Sequence, residues 1–207
     1  MKNKSLKNKL TIIVLGRSGS GKGTQAALIV KRLGGKNKVA HLETGRFLRK
    51  IVKNFNNPTT DLAKDLLDKG KLFPGWLPAF TWLKEMIERG SASKHWVMDG
   101  APRRVWEAKL VDEVVRDHGR PSPICIYVDT SIEEATKRLL RRKRLDDKKS
   151  AIQNRMIFFR TEVSKVLDHY RKSGRLIRVD GNFPPDGVWI EIDNALSKRL
   201  KTAWPSK

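Results

Sequence analysis

Near the start of the chain, the eight residues GRSGSGKG match the G-x-x-x-x-G-K pattern of a phosphate-binding loop. Gly16, Ser18, Gly19, Ser20 and Gly21 allow the backbone to curl until its N–H groups converge on phosphate oxygens. Lys22 adds a point charge, and Gly23 and Thr24 open a helix whose N-terminus favours an anion. A merely flexible Gly/Ser loop would leave the position of the lysine unexplained, so these residues are expected to hold phosphate. Most such loops place a Ser or Thr hydroxyl after the lysine to bind Mg2+, whereas here that residue is Gly23. Metal must then be held differently. Thr24 and Asp99 are the candidates, Asp99 through water, because a carboxylate that closes the strand HWVMD beside the loop can orient a hydrated ion.

These residues need a rigid frame, and the hydrophobic pattern supplies one. Short apolar runs at Leu10–Leu15, Val39–Leu42, Trp96–Met98, Ile124–Val128 and Leu176–Val179 alternate with longer helical stretches. Nearly continuous apolar strands separated by helices imply an α/β fold with a parallel sheet covered on both faces. Gly34 and Gly35, Gly119 and Gly174 are placed to end helices, the last of them a single long helix running from about Ser150. Ser131 with Glu134 three residues later reads as a capping box. Two segments depart from the alternation. Residues 44–78 read as short helices, Gly45–Asn54 and Thr60–Lys69, of a size to form a movable flap, and residues 141–150, RRKRLDDKKS, form a polar excursion between helices.

The length of 207 residues suits one domain over residues 10–207, preceded by a basic tail over residues 1–9. That tail with TIIVLG resembles a secretory signal superficially, but its apolar run is short and leads straight into the phosphate loop. No stretch approaches the length of a membrane span, so a soluble protein with no membrane partner is expected. The single cysteine, Cys125, lies in an apolar run and reads as a small buried hydrophobe in a reducing, cytoplasmic setting. His41, His95, His118 and His169 lack metal-ligand spacing. A net charge of +22 favours polyanionic partners, whether nucleotides, nucleic acid or an acidic membrane surface, but with no ordered stripe of aromatic and basic residues the lysines read first as solvated tail and exposed helix faces.

GKGTQ (Gly21–Gln25), TGRFLR (Thr44–Arg49), GKLFP (Gly70–Pro74), DGAPR (Asp99–Arg103) and RLLRRKRLDD (Arg138–Asp147), with a later Arg155, together resemble the ordered motif series of adenylate kinases. The resemblance runs from about Leu10 to about Pro184. It implies a P-loop NTPase-type three-layer fold with a five-stranded parallel sheet, an inserted helical arm over residues 44–78 that binds the nucleoside monophosphate, and a short lid over residues 141–150. It further implies that Arg49 and Arg103 grip the acceptor phosphate, while Thr44, Gly45, Lys71, Leu72, Phe73, Gly100 and Glu107 shape the acceptor pocket. By the same resemblance, Arg138 and Phe183 meet the donor base, and Arg142, Arg144 and Arg155 act on the transferring phosphate together with Lys22 and Arg103. Asp146 and Asp147 resemble the carboxylate pair that orders family lids. The short lid lacks the insertion that can carry zinc ligands, so no structural zinc is expected, and a monomer that binds ATP with Mg2+ and a nucleoside monophosphate is implied.

Three positions break the pattern. Arg46 replaces an acid, Ala101 an aromatic ring, and Glu107 the glutamine that reads adenine. An ionised glutamate only accepts hydrogen bonds and would suit a base edge with two N–H donors, such as guanine. Arg46 could pair with Glu107 or with another acid and restore the balance. Transfer from ATP to AMP is the leading expectation. GMP, CMP or UMP as acceptor, a basic P-loop protein that binds nucleic acid or the ribosome, and a kinase relic that only binds nucleotides stand as alternatives.

Overall fold

The structure, a computed structural model, describes residues 9–90, 93–142, 144 and 147–205. Apart from Lys9, the tail lies outside them, as does Asp146 of the lid. Five parallel strands form one sheet: β1 (Thr11–Leu15), β2 (Val39–Glu43), β3 (His95–Asp99), β4 (Ile124–Asp129) and β5 (Leu176–Asp180), in the spatial order β2-β3-β1-β4-β5. Every side chain of β1 is buried, and its alternation divides them between two cores. Ile13 and Leu15 join Trp96, Met98, Cys125 and Tyr127 on one face, and Ile12 and Val14 join Val97, Ile126 and Val128 on the other.

Helices close both faces. α1 (Lys22–Arg32) applies Ala26, Ile29 and Val30 to the second core at helical spacing, beside α9 (Pro185–Leu200) with Val188, Ile192 and Leu196. Asp193 of α9 accepts from Arg32 at 2.5 and 3.1 Å and from the Trp204 indole at 2.8 Å, so the C-terminal turn is stapled to α1. On the opposite face lie α4 (Trp76–Arg89), α5 (Val105–Asp117) and α8 (Ser164–Lys172), which bury Trp82, Val111 and Tyr170.

Between β2 and α4 run α2 (Thr44–Asn54) and α3 (Pro58–Asp68), held by a separate small cluster of Leu48, Ala63, Phe73 and Leu77. Each large apolar side chain fully buried there contributes roughly 1.5–3 kcal/mol, enough to give the insert its own shape apart from the main cores. Asn57 caps α3 reciprocally with Thr60. The insert meets α7 (Lys149–Phe158) at a close seam, where the Asn154 amide donates to the Lys69 carbonyl at 2.8 Å. Gly70, at φ 61, faces the Ala151 carbonyl so closely that a Cβ would fall 2.2 Å from its oxygen.

Two local expectations change. The long helix from about Ser150 is found as a continuous run from Lys149 to Lys172, but it carries a π turn, Phe159–Val163, between α7 and α8, a device that sequence periodicity does not reveal. Of the capping box at the start of α6 (Ile132–Arg142), only one half forms. Ser131 Oγ accepts the Glu134 N–H at 3.1 Å, but the Glu134 carboxylate turns to Arg138, and the Ser131 N–H is satisfied by Asn182 Oδ1 at 2.9 Å. No helix among the described residues is long and apolar enough to cross a membrane.

Candidate active site

At the carboxyl ends of β2, β3 and β1, where parallel α/β sheets place their ligand crevices, lies a cavity of about 590 Å3. The phosphate loop forms its floor. Gly19 and Gly21 both take φ 84, a left-handed conformation open to glycine, and at Gly19 a Cβ would also fall 2.2 Å from the Ala135 carbonyl. Ser18, Gly19, Gly21, Lys22, Gly23 and Thr24 line the cavity, whereas Gly16 and the buried Ser20 do not.

Lys22 rests its ammonium on the Arg17 carbonyl at 3.4 Å. Burial lowers its pKa to about 8; Arg103, Arg142 and Arg155 press the same way, and Asp99 opposes them. The charges at that one lysine therefore come from three separate elements. Arg103 leaves the loop after β3 and donates from Nε to the Gly100 carbonyl at 2.8 Å, with its guanidinium 5.7 Å from the centre of the Phe158 ring. Arg142 ends α6, and Arg155 rises from α7. Both are gripped by the nearly buried Asp147, which accepts from Arg142 at 2.8 and 2.9 Å, from Arg155 at 2.9 Å and from the Arg144 N–H at 3.4 Å. The Asp147 pKa lies below the usual carboxylate range, because these arginine contacts outweigh the upward push of its burial.

From the insert and the turn after β3, Gly45, Arg46, Arg49, Lys71, Phe73 and Gly100 line the same cavity. Leu72, Thr44, Glu107 and Phe183 do not. Thr44 is buried, and its hydroxyl has no hydrogen-bond partner among the described residues. Phe183 is exposed on the loop after β5, a loop that Arg138 ties down by donating to the Gly181 carbonyl at 2.9 Å and to the Asn182 and Phe183 carbonyls at 3.3 and 3.4 Å.

Glu107 lies fully buried in the first turn of α5. Its Oε2 accepts the Arg103 N–H at 2.8 Å, its Oε1 lies 3.9 Å from Arg104, and burial raises its pKa. Arg104 in turn donates to the Phe73 carbonyl at 2.7 Å. Arg46 pairs with Glu43 at 3.3 Å, not with Glu107. Sequence reasoning passed over Glu43, though a carboxylate closing β2 three residues before Arg46 carried the signal.

Asp99 also lines the cavity, and a Cβ on Gly23 would sit 3.2 Å from its Oδ2. The carboxylate thus reaches the first turn of α1 on the side where a residue with a hydroxyl would stand. Hard oxygen donors, from Asp99 and the lining residue Thr24, fit Mg2+. Among the described residues, no group of three or more His, Cys, Asp or Glu side chains is placed to hold a metal.

A family model described as adenylate kinase matches residues 14–175. The chain belongs to the adenylate kinase family. It is 34% identical over 195 residues to the adenylate kinase of Prochlorococcus marinus, covering 93% of this chain and 100% of that protein. It is 32% identical over 182 residues to adenylate kinase 1 of Synechocystis, covering 88% and 94%, and 33% identical over 192 residues to the adenylate kinase of Trichodesmium erythraeum, covering 90% and 97%. The adenylate kinase motifs meet here around one cavity even though they are spread from Gly21 to Arg155 in sequence.

Proposed function

We propose that this chain catalyses the reversible transfer of the ATP γ-phosphoryl group to AMP, ATP + AMP = 2 ADP. The observation that carries the proposal is the convergence of Arg103, Arg142 and Arg155 on Lys22, with Arg49 lining the same cavity. Two nucleotides that meet end to end repel each other, and the transferring group spreads negative charge over its equatorial oxygens. Cations that hold both ends in line therefore supply most of the catalysis. The loop from Gly16 to Thr24 holds the donor phosphates, Arg49 and Arg103 hold the acceptor phosphate, and Arg142, Arg144 and Arg155 attend the group in flight. The attacking oxygen is already anionic, so no general base is required. Asp99, through water, with Thr24 would hold the Mg2+ that accompanies ATP, and that ion would offset charge on the phosphate oxygens.

Residues 44–78 act as the acceptor arm and residues 141–150 as the lid. The separate small core of α2 and α3 supports motion of the arm as a body, and closure keeps water from the transferring group. Asp147 orients Arg142 and Arg155, and phosphate would take the guanidinium donors that Asp147 leaves over.

Glu107 bears on the acceptor base. Its burial, its raised pKa and its bond to the Arg103 N–H support a role in anchoring Arg103 rather than in selecting guanine as a free carboxylate. In steady-state assays with AMP, GMP, CMP and UMP at fixed ATP, AMP is the preferred acceptor, and Glu107→Gln keeps that preference because the amide oxygen can still accept the Arg103 N–H. A clear preference for another monophosphate overturns the assignment of AMP.

A further inference from the structure

Arg17 is the second residue of the phosphate loop, yet its side chain leaves the cleft and does not line the cavity. Its backbone carbonyl serves the loop directly, accepting the Ser20 N–H at 3.1 Å and the Lys22 ammonium at 3.4 Å. The side chain is largely buried between β4 and the π turn. There its guanidinium lies 5.2 Å from the centre of the Phe159 ring and stands 3.8 Å from Asp129. The partners also hold one another. Phe159 stacks on Tyr127 at 6.0 Å and 25°, and Tyr127 donates to Asp129 at 2.6 Å.

Arg178 holds Asp129 through Oδ2 at 2.6 and 2.9 Å and Tyr127 holds it through Oδ1, the oxygen that Arg17 meets at the longer distance. The Phe159 face gives the guanidinium a second, cation–π hold. Phe159 opens the π turn one helical turn after Arg155, so both lie on the same side of that helix.

We infer that Arg17 is a positioning residue, a clamp between the floor of the phosphate loop and the helix of Arg155 that fixes the distance between Lys22 and Arg155. The clamp rests on the cleft being a phosphoryl-transfer site. It affects the chemical step more than substrate capture, because a small misplacement of an aligned group lowers rate without removing any contact to substrate.

The test is steady-state kinetics with ATP and AMP on the wild type, Arg17→Ala, Arg17→Lys, Phe159→Leu and the double variant Arg17→Ala/Phe159→Leu, with a thermal unfolding midpoint for each. Arg17→Ala lowers kcat roughly tenfold and leaves the KM for AMP unchanged. Phe159→Leu moves kcat in the same direction, and the double variant is no slower than the slower single one, as expected of two groups in one contact. Arg17→Lys recovers little, since an ammonium keeps the charge but lacks the planar face.

An unchanged kcat in Arg17→Ala, losses that multiply in the double variant, full recovery with lysine, or a rate loss that matches the unfolded fraction at the assay temperature each overturns the clamp. An active wild type with any of these results sinks the clamp alone. A wild type that turns over none of the monophosphates sinks both the clamp and the proposed function.

Discussion

Lys22 shows how single residues here take their properties from their neighbours. Its ammonium is held down to a pKa of about 8 by burial and by three nearby guanidinium groups. A bound phosphate favours the charged form, so ATP binding takes up a proton wherever free Lys22 is partly neutral. The sign follows directly: affinity is full below about pH 8 and weakens as pH rises through that value. Calorimetric titration with ATP across that range, in buffers of different ionisation enthalpy, shows proton uptake on binding, and Lys22→Arg, which stays charged, flattens the pH dependence. At this scale, sequence was informative where a residue type has one demanding use. A lysine after a glycine-rich turn and an aspartate ending a strand both line the cavity. Arg17 was illegible because its partner, Phe159, lies far along the chain, and Glu107 was incomplete because its partner is a backbone group, the Arg103 N–H; Glu43 was passed over although Arg46 stands only three residues away.

The elements were easier to read than their internal irregularities. Strands buried on both faces announce themselves as apolar runs, and all five were found to within a residue or two, as were both helices of the insert. The π turn was missed because one extra residue in a helical turn leaves local composition unchanged. At the half-made capping box, a more distant group, Asn182, supplied a bond that local pattern assigned to Glu134. The start of β3 carries a pH dependence of its own. His95 accepts the Leu10 N–H at 3.0 Å through Nδ1, which requires an unprotonated nitrogen there, and burial with nearby Lys9, Arg120 and Lys38 lowers its pKa from 6.5 to about 4. The unfolded chain therefore binds a proton at this site before the folded one does, and stability contributed by His95 is lost as pH falls from 6.5 towards about 4. Unfolding midpoints fall across that window, and His95→Asn, whose side-chain oxygen accepts without titrating, reduces the slope.

For the whole molecule, the net charge of +22 and the chemistry of the cleft are linked. Lys22, Arg46, Arg49, Lys71, Arg103, Arg138, Arg142, Arg144 and Arg155 line the cavity, where the described carboxylates are Glu43 and Asp99. Such an excess draws in anionic substrates through a field that salt screens. Raising ionic strength from low to several hundred millimolar raises the KM for both nucleotides, while kcat, set by groups already in contact, changes much less; parallel losses in both parameters would contradict this. The seam at Lys69–Gly70 and Ala151–Asn154 has a further consequence. It joins the insert, proposed above as the acceptor arm, to the helix that carries Arg155, with no room for even a methyl group between the two backbones. Whatever strains or relaxes that joint on the arrival of one nucleotide alters the welcome given to the other. Thermodynamic reciprocity then requires the heterotropic factor measured from either direction to be the same number.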